Sequence, residues 1–109
     1  MGRAKDALAK QLMTAEEVAC YLLETCGSLA EFESFMFGSS LSAVGSDYDI
    51  LIVGPSGVSL TRLKSELRAA ANELPLDVLY MLPTEAAETE FVIREGCINL
   101  WQLAASTKR

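Results

Sequence analysis

Residues Asp47-Tyr-Asp-Ile-Leu-Ile-Val53 form a short apolar run closed by the turn cluster Gly54-Pro-Ser-Gly57, and they read as a β-strand. The rest of the chain arranges itself around that strand. Ahead of it, Glu33-Ser-Phe-Met-Phe37 is a second aromatic, buried-type strand that stops at glycine, and Gly38–Ser46 is a loop of small residues with room for one helical turn. After it, Leu60, Leu63, Leu67, Ala70 and Leu74 recur at helical spacing, which predicts a helix over Ser59–Glu73 with Ser59 as N-cap and Pro75 as its stop. Leu76–Leu82 is a third strand, and Pro83 starts a short acidic helix running to about Glu90. Phe91–Leu103 is expected to hold one more helical turn and a strand around Ile98–Leu103, with a frayed tail from Ala104 to Arg109.

The N-terminal part predicts helices over residues 3–26. Ala4–Met13 is rich in good helix formers. Thr14-Ala-Glu-Glu17 is a capping box, in which hydroxyl and carboxylate each satisfy a backbone N–H. Val18, Tyr21, Leu22 and Cys26 follow at helical spacing, and Gly27 is the expected left-handed residue after that helix. The element order is helix, strand, strand, helix, strand, helix, strand. It predicts one α/β (α+β) domain spanning 1–109, with a small mixed sheet, helices packed on it and a core over about 33–103.

Composition narrows the chemistry. Nine Lys and Arg stand against fifteen Asp and Glu, a formal charge of −6, which argues against direct nucleic-acid binding. There is no histidine, so catalytic triads, His-ligated zinc and imidazole acid–base chemistry are excluded. Cys20, Cys26 and Cys97 have neither CxxC spacing nor an even count, and read as reduced thiols on apolar faces. The start lacks the apolar segment of a secretory signal, and no apolar run approaches the roughly 20 residues that span a bilayer. The expectation is a soluble cytoplasmic protein.

Two carboxylates do not belong in an apolar strand. Asp47 and Asp49 are two residues apart, so strand alternation turns both to one face, where their charges repel unless a cation sits between them. Mg²⁺ or Mn²⁺ suits such oxygen ligands. Asp77 lies in a further apolar strand and joins the same face if the two strands are neighbours. Three converging carboxylates fit a metal site for phosphoryl transfer. Gly38-Ser39 follows a strand directly, where glycine admits a ligand close to the backbone and serine offers a hydroxyl to an anion. Ser46, beside Asp47, reads either as a turn serine or as a support for the loop. Arg62, Lys64 and Arg68 read as the solvated face of their helix, Arg94 as a surface ion pair with Glu90 or Glu95, and Trp101, Tyr80 and the phenylalanines as core.

Gly38-Ser39, seven intervening residues and Asp47-Tyr-Asp49-Ile50 resemble the G-[GS]-x(7 or more)-D-h-[DE]-h signature of the DNA polymerase beta-like nucleotidyltransferase superfamily. Asp77, after a helix, matches the family's third carboxylate. FMFGSS, SDYDILIV and Arg94-Glu-Gly96 look like its minimal nucleotidyltransferase branch. The resemblance implies the nucleotidyltransferase fold, with Gly38, Ser39 and Ser46 around the phosphates of ATP and Asp47, Asp49 and Asp77 as metal ligands and catalytic groups. It implies transfer of a nucleoside monophosphate, AMP from ATP, to a hydroxyl acceptor. The loop departs from many relatives in holding no arginine after Gly-Ser. Family habit points to a HEPN-type toxin as partner, with a tyrosine as acceptor and an antitoxin role, or to a homo-oligomer. The rival readings are a small-molecule, aminoglycoside-type adenylyltransferase and a non-catalytic antitoxin-like binding module.

Overall fold

The computed structural model describes residues 13–41 and 47–106. The expected helix over Ala4–Met13 therefore falls, up to residue 12, outside the described residues, and so does Ser46.

Strand formation follows the apolar runs. Strands β1 (Glu33–Phe37), β2 (Tyr48–Val53), β3 (Leu76–Met81) and β4 (Ile98–Asn99) form a mixed sheet in the order β3-β2-β1-β4. β1 runs antiparallel to both β2 and β4, and β2 and β3 are parallel. The parallel pair is joined by helix α2 (Val58–Ala70), as a parallel connection requires. Helices α1 (Ala15–Thr25), α3 (Pro83–Thr89), α4 (Phe91–Arg94) and α5 (Leu100–Ala105) complete this mixed α+β fold.

One face of the sheet carries the core. Met36, Tyr48, Ile50 and Ile52 point from the strands toward Val18 and Leu22 of α1, Leu63 and Leu67 of α2 and Leu100 and Leu103 of α5. The stripe foreseen on α2 is the buried stripe: Leu63, Leu67, Ala70 and, just beyond the helix, Leu74 are all buried. α1 starts at the predicted capping box, with Thr14 Oγ1 accepting from the Glu17 N–H at 3.1 Å and Glu17 Oε1 accepting from the Thr14 N–H at 2.9 Å. Among the described residues no helix is long and apolar enough to cross a membrane.

Several boundaries differ from the sequence reading, two through hydrogen bonds to residues distant in the chain and one through a local cap. Gly27 does not take a left-handed conformation; Cys26 ends α1 and Gly27 opens a short 3-10 helix, Gly27–Glu31. That turn is held by Glu66, whose carboxylate accepts from both the N–H and the hydroxyl of Ser28 at 3.0 Å. Ser59 does not cap α2. Gly57 takes that place, at φ +137, and the Ser59 hydroxyl donates to Glu31 at 2.7 Å. The strand placed at Ile98–Leu103 lasts only two residues. Asn99 then caps α5, its side-chain oxygen accepting from the N–H groups of Trp101 and Gln102, and the chain turns helical where apolar content alone had favoured a strand. The tail is accordingly not frayed at Ala104, which is buried in that helix, and Trp101 is half exposed rather than core.

Two substitutions separate these contributions. Leu63→Ala empties a fully buried position and is expected to cost about 2–5 kcal/mol. Asn99→Ala removes only the cap and is expected to cost about 1 kcal/mol. Urea unfolding of both variants measures the difference; equal losses would place Leu63 outside the cooperative core.

Candidate functional site

The direction of each strand side chain is set by what the core takes. Tyr48, Ile50 and Ile52 of β2, and Leu76, Val78 and Tyr80 of β3, pack on the helical side. Alternation therefore sends Asp49, Leu51 and Val53, and Asp77, Leu79 and Met81, to the opposite face. The parallel register sets Asp49 directly beside Asp77. Adjacent strands lie roughly 4.8 Å apart, so the two carboxylates are immediate neighbours on one face. Asp47 is exposed at the mouth of β2, one residue before the strand begins. A one-residue slip between β2 and β3 would send one of the pair into the core, so the apolar burial that fixes the register also fixes the acidic pair.

Electrostatics follows from that placement. Asp49 is half-buried, and its carboxyl is pushed above its ordinary value, first by burial, then by the charges of Asp77 and Asp47. Both other carboxylates thus act on Asp49. Gly38 closes the site from the β1 side. It follows β1 directly, opens a 3-10 turn over Gly38–Leu41, and has a φ of +76. A Cβ there would lie 2.6 Å from Oδ2 of Asp49. Glycine is favoured by the backbone conformation, and the Asp49 carboxylate would have to shift to admit any side chain there. Ser39 is exposed on the same turn.

The sequence reading placed the phenylalanines in the core, but Phe37 belongs to this face. It pairs in register with Asp49 and is half-buried. Phe91 of α4 meets it edge-to-face, with ring centroids 5.1 Å apart and planes at 90°. The alternation of β1 held that signal, because Ser34 and Met36 point to the core and leave Phe35 and Phe37 to the other side. The described cations lie elsewhere. Arg62, Lys64 and Arg68 are exposed on α2, across the sheet from Asp77, and Arg94 pairs with Glu95 at 3.8 Å.

Among the described residues no three or more His, Cys, Asp or Glu side chains are grouped so that they could hold a metal ion, so Asp47, Asp49 and Asp77 do not form the expected three-carboxylate set. The donor set nevertheless fits a hard divalent cation. Mg²⁺ is commonly held by one or two carboxylates, with phosphate oxygens and water filling the remaining positions. Asp49 and Asp77 supply such a pair.

The raised Asp49 value carries a sign. A carboxyl whose folded pKa exceeds its unfolded one holds its proton more tightly in the native state, so stability falls as pH rises from the ordinary value of 3.8 through the raised one. Asp49→Asn removes that loss. With chelator present, the variant is expected to melt above the wild type at neutral pH, the gap closing as pH falls to the ordinary carboxylate range. Thermal melts across pH measure it, and a variant less stable at neutral pH would make Asp49 a structural group. Compared with protein-family models, with curated protein sequences and with solved structures, the chain gives no match.

Proposed function

We propose that the chain is a metal-dependent nucleotidyltransferase that moves a nucleoside monophosphate, AMP from ATP, to a hydroxyl acceptor. The observation that carries this reading is the in-register pairing of Asp49 and Asp77 on neighbouring parallel strands, beside a left-handed Gly38 that crowds Asp49. The resemblance of Gly38-Ser39 and Asp47-Tyr-Asp49 to the superfamily signature supports the same reading.

In this reading Asp49 and Asp77 bind a divalent cation from adjacent strands, and Asp47 adds negative charge at the entrance. The cation, when bound, neutralises phosphate charge and lowers the barrier to attack on phosphorus. The 3-10 turn that opens at Gly38 approaches Asp49 closely, and the exposed Ser39 hydroxyl on that turn donates to a phosphate oxygen. Asp77, the more exposed of the pair, takes the proton of the acceptor hydroxyl. The new bond joins the acceptor oxygen to the α-phosphorus; the bond to the β-phosphate oxygen breaks and pyrophosphate leaves.

The acceptor is proposed to be a tyrosine hydroxyl on a HEPN-type toxin, with this chain acting as its antitoxin. Incubation with α-labelled ATP, Mg²⁺ and the product of the neighbouring gene tests it. Label should reach the neighbour, fail to do so in chelator, and fall by about two orders of magnitude or more in Asp49→Asn and Asp77→Asn. Label on an added aminoglycoside instead would select a small-molecule acceptor. Full neutralisation of the neighbour by both variants, without label, would end the catalytic reading.

A further inference from the structure

We propose that the free edge of β3 and the cationic cleft beside it bind an extended acidic polypeptide segment by strand addition. β3 is the outer strand of the sheet, and its length of six residues contrasts with the two of β4 at the other edge. The backbone of Tyr48 donates to Pro75 at 2.8 Å and that of Gly54 donates to Met81 at 3.1 Å. In a parallel ladder this phase turns Asp77, Leu79 and Met81 toward β2, and leaves the N–H and C=O groups of Leu76, Val78 and Tyr80 directed outward. Among the described residues no other backbone group meets them. Such an edge is a template for another strand unless something covers it.

The cleft says what kind of strand. An open depression of about 260 Å³ runs along this edge, lined by Lys64, Leu67 and Arg68 of α2 and by Val78 and Tyr80 of β3. Lys64 Nζ sits 4.9 Å from the centre of the Tyr80 ring, and Arg68 follows one turn later. Both are exposed, and among the described residues neither forms an ion pair. In a chain with only nine basic residues and a net charge of −6, two of them adjoin a free strand edge. A strand added here turns one of its two faces over the cleft, and carboxylates on that face meet Lys64 and Arg68 beside the Tyr80 ring. A second copy is the poorer occupant. Antiparallel pairing of β3 with β3 would bring Lys64 and Arg68 of both copies to one face and Asp77 of both to the other, with like charges facing on each side.

The probe is a fluorescein-labelled peptide alternating Val and Glu, with a Val–Lys peptide as control, added to the whole chain at low ionic strength. Saturable anisotropy change is expected for the acidic peptide alone, weakened roughly tenfold by joint Lys64→Glu and Arg68→Glu substitution on the exposed helix face. Val78→Pro, which removes an outward N–H, should weaken it without altering the charge. Amide exchange should slow at Val78 and Tyr80 on peptide addition and stay unchanged at Asp77 and Leu79. Equal binding of both peptides, no saturable binding, or unaltered exchange at Val78 and Tyr80 overturns the proposal. Concentration-dependent dimerisation abolished by Val78→Pro overturns it too, by making the second copy the occupant. Asp49→Asn should leave peptide binding intact, so this result stands apart from the fate of the transferase reading.

Discussion

The register between β2 and β3 is the constraint on which the acidic site depends. Ile50 and Ile52 on one strand and Val78 and Tyr80 on the other share the helical face, and their burial leaves no freedom to slide by one residue. The same fixity forces Asp49 and Asp77 together on the opposite face, although their charges disfavour it. The pair is therefore held by apolar contacts made elsewhere in the strands. The divalent cation of the proposed function would relieve that repulsion.

The two faces of the sheet divide the charges. α2 presents Arg62, Lys64 and Arg68 on the helical side, while Asp47, Asp49 and Asp77 gather across the sheet. Neutralisation of the carboxylates by these side chains is prevented by the thickness of the sheet itself. Leu51 shows that the acidic face is no bare surface. It is fully buried on that side, between in-register Phe35 and Leu79, while Phe91 from α4 closes on Phe37 nearby. The carboxylates thus sit at the margin of a second, smaller apolar layer, and burial is the leading cause of the raised Asp49 value.

What the sequence showed and what it hid have a common physical basis. β1 was legible to the residue, because aromatic and apolar positions stop abruptly at Gly38. The Thr14 capping box was legible because both of its partners lie within four residues. Asp77 could be placed beside Asp49 only on condition that two strands were neighbours, and the register alone met that condition. The failures are competitions between local and distant partners. Ser59 was free to cap its helix but bonds Glu31, 28 residues away, and Gly27 yields its expected role to a turn organised by Glu66 from 38 residues away. Asn99 was the opposite case, a local cap hidden inside an apolar run that reads equally well as strand.

The requirement for glycine at position 38 joins fold and chemistry most tightly. The strand before it must end, the turn after it must begin at φ +76, and the Asp49 carboxylate occupies the space a side chain would need. An ordinary hairpin asks only for the first two. The third is set by a carboxylate on a neighbouring strand, whose terminal oxygen would have to move to admit a side chain at position 38. A structure that keeps both the aspartate and the glycine keeps an anionic oxygen against bare backbone, with Ser39 on the adjoining turn. In the proposed reading the cation and its phosphate counter-charge meet the chain at this turn.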